Sequence, residues 1–172
     1  SILSKPLVWH DSNRRFTNAN HNPHRSMWWE YPDYPLLRGK CYRNSIKVVR
    51  SLWYRVCEKE TPEDFMKSVK IISGRRGLKN SNDRFVGCDK THRNDIVNHF
   101  WVEFNGKTEH LVIDVGFKYG TEHGYLMMYS VPHYYKAFNI ANRVELNYTM
   151  DITKEKVPIE IGIPKNCWND DY

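Results

Sequence analysis

The chain has 172 residues and is 40% hydrophobic and 14% aromatic, enough apolar surface for a domain-sized core. With 26 Lys and Arg against 20 Asp and Glu, the net charge is +6, which favours acidic partners without the charge density of a histone-like protein. No run of about 18 apolar residues occurs, which excludes a transmembrane helix.

The opening stretch SILSKPLVWHDSNRRF lacks the long apolar segment of a signal peptide. The four cysteines (Cys41, Cys57, Cys88 and Cys167) form no CxxC pair. Together these features lead us to expect reduced thiols in a cytoplasmic protein, in the host cytoplasm if the source is viral, with no membrane partner; the count of four also allows two disulfides. Residues 1–37 show no sustained period. They mix Asn, Pro and aromatics, and read as an irregular arm pinned to a core by Trp28, Trp29 and Tyr31. Residues 38–172 then form a single α+β domain.

From Cys41 the pattern changes. Ile46, Val49, Trp53 and Val56 recur at helical spacing, predicting a helix over 41–58. The TPED stretch that begins at Thr61 has an N-cap, a proline at the first position and acids in the first turn, so a second, short helix follows. SVKIIS reads as a strand, and residues 74–95 as a long polar loop. Two alternating runs, VNHFWVEF and KTEHLVIDV, flank Asn105-Gly106 and predict a β-hairpin with a two-residue turn. YLMMYSV is a further strand, residues 132–146 read as a helix starting at Pro132, and the tail IGIPKNCWNDDY as irregular.

The hairpin places chemistry on one face. Counting outward from Asn105-Gly106, His99 and Asp114 become diagonal neighbours, with Cβ atoms at roughly 7 Å or less. A four-residue loop would keep them on a shared face, whereas an odd loop or a bulge would separate them. Trp101 and Glu103 share that face, and Phe100, Val102, Phe104, Leu111, Ile113 and Val115 make the other, core-facing one. An aspartate inside LVIDVG is costly unless partnered. Its bland reading is a His–Asp hydrogen bond that ties the hairpin. Its chemical reading adds Cys41, a thiol at a helix start, where the helix dipole and an imidazole favour thiolate.

Cys41-Tyr42-Arg43-Asn44, then His99-Phe100-Trp101, then Val112-Ile113-Asp114 resemble the papain-like and transglutaminase-like cysteine enzymes. The Cys-Tyr-x-Asn variant is similar to small phage and bacterial proteins of that superfamily. Arg38-Gly39-Lys40-Cys41 and Asp114-Val115-Gly116-Phe117 are also similar to arylamine N-acetyltransferases. The likeness spans residues 38–117. It implies a Cys-bearing helix packed on a small antiparallel sheet, with Cys41 as nucleophile, His99 as base and acid, and Asp114 as the orienting group. Asn44 and Trp101 are supporting residues. Two features depart from the pattern. Ile71-Ile72-Ser73-Gly74 stands where relatives carry an acid, and no glutamine precedes the cysteine, since the chain contains none. An oxyanion hole would therefore use the Cys41 N–H and a second donor that sequence does not assign.

His21-Asn22-Pro23-His24 and Cys88-Asp89-Lys90-Thr91-His92 have fragments of ligand spacing but no completing pair, so no metal and no cofactor is expected. Arg75, Arg76 and Lys79, framed by glycines, read either as a phosphate- or nucleic-acid-binding loop or as a solvated turn. Trp28 and Trp29 could stack on bases or plug a core edge. The leading expectation is an enzyme acting on an acyl or amide bond of a protein, peptide or other substrate, by hydrolysis or acyl transfer. The alternative is a basic, non-enzymatic binding protein on the same scaffold, such as a viral factor contacting nucleic acid or a host protein.

Overall fold

A computed structural model describes residues 25–29, 31, 35–76, 78–79, 85–86, 97–106, 108–117, 121–150 and 159–161. In chain order the elements are β1 (Arg25–Trp28), α1 (Cys41–Val56), α2 (Pro62–Ser68), β2 (Val69–Arg76), β3 (Leu78–Lys79) and β4 (Phe85–Val86). They continue with β5 (Val97–Asn105), β6 (His110–Phe117), β7 (Gly124–Ser130), α3 (Val131–Ala137), β8 (Ala141–Leu146), β9 (Tyr148–Met150) and β10 (Ile159–Ile161). Six strands form one antiparallel sheet in the order β1-β7-β6-β5-β2-β8, and β3-β4 and β9-β10 form two small ribbons. The class is α+β.

The period-2 alternation of the strands splits the core between two faces. On one, Val48, Val49, Leu52 and Trp53 of α1 and Phe65 of α2 pack on Ile71, Phe100, Val102, Phe104 and Ile113. On the other, Ile72, Trp101, Val112, Tyr125, Met127 and Tyr129 meet Tyr134 and Phe138 at the end of α3. Gly74 permits this second layer, because a Cβ there would lie 2.6 Å from the Trp101 ring.

Local signals explain the helix boundaries. Thr61 caps α2, its hydroxyl accepting from Asp64 N–H at 3.2 Å. The helix predicted over 132–146 is instead α3 followed by β8. Asn139 (φ 48°) and Asn142 (φ 52°) adopt left-handed conformations that a helix cannot continue and that asparagine tolerates. The arm predicted as irregular contributes β1, which pairs with β7 from Arg25↔Met128 to Trp28↔Tyr125. The loop predicted from residue 74 is also shorter. β2 runs on through Gly74 to Arg76, paired with β5, because an extended partner strand is available there.

The hairpin closes differently from the Asn105-Gly106 turn. Its last pair is Asn105↔His110, and Gly106 N–H donates to the Glu109 carbonyl at 2.8 Å. The even loop length still leaves His99 and Asp114 on one face.

Candidate functional site

His99 and Asp114 meet where two strands part. β5 and β6 pair only from Asn105↔His110 to Val102↔Ile113, although both continue beyond. Over the same stretch β5 stays paired to β2, and β6 to β7. The sheet therefore opens between its central strands at the level of His99 and Asp114. Their side chains bridge the opening, with Nε2 of His99 2.9 Å from Oδ1 and 3.1 Å from Oδ2 of Asp114.

Asp114 is 2% exposed and is supplied with donors from four directions. Val115 N–H donates to Oδ1 at 2.8 Å, and the Tyr134 hydroxyl donates to Oδ2 at 2.7 Å. Arg76 NH1 stands 3.3 Å from Oδ2, its guanidinium lying 4.1 Å above the Phe138 ring. Burial alone would push the Asp114 carboxyl up. Attraction to His99 when its ring is protonated and to Arg76, with hydrogen bonds from His99 and Tyr134, holds it well below the usual carboxylate range. Burial first, and then the Asp114 charge, push the Tyr134 hydroxyl well above its ordinary value, so it stays a donor.

An ionised, buried carboxylate fixes the imidazole tautomer. Asp114 can only accept, so Nε2 carries the proton, and the lone pair of the neutral ring sits on Nδ1. Arg76 NH1 also approaches Nε2, at 3.1 Å. With Nε2 protonated, two donors face each other there, and the Arg76 proton goes to the carboxylate. Trp101 stacks on His99 at 6.0 Å between ring centroids and donates its indole N–H to Glu103 at 3.0 Å.

Cys41 is the first residue of α1, half-buried against the core of the α1 face. His99 and Asp114 engage groups on the α3 face. The structure thus brings His99 and Asp114 together and packs Cys41, at the start of α1, against the core of the α1 face. Tyr42 packs on Phe100 at 5.3 Å and Arg38 lies 4.9 Å over Phe117, which fixes where α1 begins. Asn44 is structural there. Its Nδ2 donates to the Leu37 carbonyl at 2.7 Å and its Oδ1 accepts from Leu37 N–H at 2.9 Å, holding the segment that leads into Cys41. The turn uses Gly39 at φ 76°, and no side chain caps α1 or places an acid in its first turn.

Arg75 and Arg76 of the candidate phosphate loop lie in β2. Arg75 and Arg76 are consecutive in a strand and point to opposite faces, so they do not form one cationic cradle. Arg75 is exposed, whereas Arg76 is drawn in to Asp114. Lys79 lies in β3, and its side chain falls outside the described residues, as do His21, His24, Cys88, His92 and Cys167. Sequence reasoning did not assign Tyr134 or the carboxylate-binding role of Arg76. Adjacent tyrosines after Pro132 and an arginine ending a strand were the available signals, and neither specifies a partner.

No family model, curated protein or solved structure matches this chain.

Proposed function

We propose that the chain is a cysteine-nucleophile enzyme acting on an acyl or amide bond, with Cys41 attacking, His99 as base and then acid, and Asp114 orienting the imidazole. The observation that carries this reading is the commitment of His99 Nε2 to a buried carboxylate. It assigns the lone pair of the neutral ring to Nδ1, the nitrogen that would serve as base. In the reaction, Nδ1 takes the thiol proton and Sγ bonds the acyl carbon. The proton then passes to the departing amine or alcohol as its bond to that carbon breaks. The uncapped first turn of α1 would stabilise both the thiolate and the oxyanion. Catalysis requires Cys41 Sγ to stand within hydrogen-bonding reach of Nδ1.

The burial of Asp114 among His99, Arg76 and Tyr134 favours a second reading. In it the Asp114 cluster is an internal tie and the chain is a basic binding protein.

Alkylation by iodoacetamide separates the two. An ordinary thiol has a pKa of about 8.5 and loses rate about tenfold per pH unit below it. Exposed Cys57 is the internal reference. The enzyme reading expects Cys41 to keep reacting near pH 6, and His99→Ala to abolish that excess. If Cys41 follows the Cys57 profile, or reacts only after unfolding, the enzyme reading is overturned. Salt-sensitive binding to a polyanion, unchanged by Cys41→Ser, would then support the second.

A further inference from the structure

A second buried carboxylate on the α3 face organises a pocket that the His99–Asp114 pair does not touch. Glu103 follows His99 by four residues on β5, about 13 Å along the strand, and is 8% exposed. It accepts from Trp101 Nε1 at 3.0 Å, from the Tyr135 hydroxyl at 2.7 Å and from Arg143 NH2 at 3.1 Å. Arg143 NH2 also donates to Glu145 at 3.0 Å, and its Nε donates to the Tyr135 hydroxyl. Two carboxylates and a phenol thereby fix the plane of the guanidinium through Nε and NH2, while NH1 takes no protein acceptor among the described residues.

These groups line a pocket of about 360 Å³ at the hairpin end of the sheet, together with Lys67, Lys70, Asn105 and His110. Lys70 stands directly opposite Glu103 in the β2–β5 register. Neither lysine ammonium forms an ion pair or hydrogen bond among the described residues. The acceptors of Glu103 are saturated by Trp101, Tyr135 and Arg143, whereas the donors of Lys67, Lys70 and Arg143 NH1 are not. A ligand entering here meets unused donors around a pre-oriented arginine beside the exposed Glu145 carboxylate. Lys67, Lys70 and Arg143 outnumber Glu103 and Glu145, so the lining is net positive and suits an oxyanion. The volume fits a small molecule.

The geometry points to this pocket as a binding site for a small molecule carrying a phosphate or carboxylate group, held by Arg143, Lys67 and Lys70. The site stands apart from the His99–Asp114 cluster and holds whichever reading of that cluster is right.

The test is titration of the full chain with inorganic phosphate and, separately, with succinate, followed by calorimetry and amide chemical shifts. Saturable binding by either probe, with shifts at Lys70, Asn105 and Arg143, is expected. The probe that binds more tightly identifies the anionic group. Lys67, exposed, and Lys70, half-buried, make no bond to Glu103, so Lys67→Ala and Lys70→Ala leave its network intact. Each should weaken binding about tenfold, the size of one charge-assisted hydrogen bond. A control removes the same charge elsewhere, at Lys59 and Lys136, both exposed. No saturable binding of either anion, or equal weakening by the control pair, overturns the assignment.

Discussion

Tyr134→Phe isolates one hydrogen bond to a buried charge. The phenylalanine keeps the ring that packs against Trp101, Tyr129 and Phe138 and deletes only the hydroxyl that donates to Asp114 Oδ2 at 2.7 Å. Tyr134 is wholly buried, so water does not take over the lost donor. A hydrogen bond to a charged group contributes about 1.5–3 kcal/mol, and for a domain of this length that is roughly 3–12 °C in Tm. Urea denaturation at pH 7 measures it directly. The pH dependence has a definite sign. The folded-state carboxyl is depressed, so its contribution is complete above the unfolded value near 3.9 and is lost only as pH falls through the folded value. The difference between wild type and Tyr134→Phe should thus stay constant from pH 7 to about 5 and shrink only in stronger acid. In an Asp114→Asn background the same substitution should cost much less. A loss below about 0.5 kcal/mol at pH 7, or one that disappears between pH 7 and 5, would refute an ionised Asp114 held by Tyr134.

Three further outcomes follow from the same geometry. Gly74→Ala would set a methyl 2.6 Å from the buried Trp101 ring and 3.3 Å from the Ala141 carbonyl; overpacking of this kind should cost about 1–3 kcal/mol in urea. Asn44→Ala removes both bonds to Leu37 and should lower stability by about 1–3 kcal/mol, with faster amide exchange at Leu37. Asp114→Asn can present its amide to Nε2 and so stabilise the other imidazole tautomer; any thiol-dependent turnover should fall by orders of magnitude, and the His99 nitrogen shifts in NMR should exchange their assignment.

How far the sequence carried differs between elements for physical reasons. The face assignment of β5 and β6 was legible because alternation needs only strand existence and an even loop; Phe100, Val102, Phe104, Ile113, Leu111 and Val115 all pack on the α1 side. The turn itself was misjudged, since Asn105-Gly106 favours a two-residue turn locally while the observed register pairs Asn105 with His110. The α3–β8 junction was hidden for a related reason. Asn139 and Asn142 are weak helix breakers by propensity and become decisive only when β8 can pair with β2. The side of the sheet on which α1 lies was not legible at all. Helical periodicity says that α1 has an apolar stripe, and both faces of this sheet offer an apolar partner. Arg76 illustrates the same limit, because a cation framed by glycines looks solvated until a buried carboxylate lies within reach.

The break in the sheet and the buried cluster are one feature. Where β5 and β6 part, Val115 has no ladder partner on β5, and its half-buried N–H needs another acceptor. Asp114 supplies that acceptor from its own side chain, Oδ1 receiving Val115 N–H at 2.8 Å while also receiving His99. The same carboxylate therefore makes the opening tolerable and sets the imidazole within it. A hydrophobic residue at this position would satisfy neither group, and closing the ladder would remove the space the imidazole occupies. A tie built only for stability would be served better by continued strand pairing, since replacing a buried ion cluster by packed apolar residues is often neutral or stabilising. Packed apolar residues could therefore stand in for a histidine, an aspartate and an arginine at this interruption between the two central strands. That, more than the His–Asp contact alone, is the reason to look for chemistry at this point of the sheet.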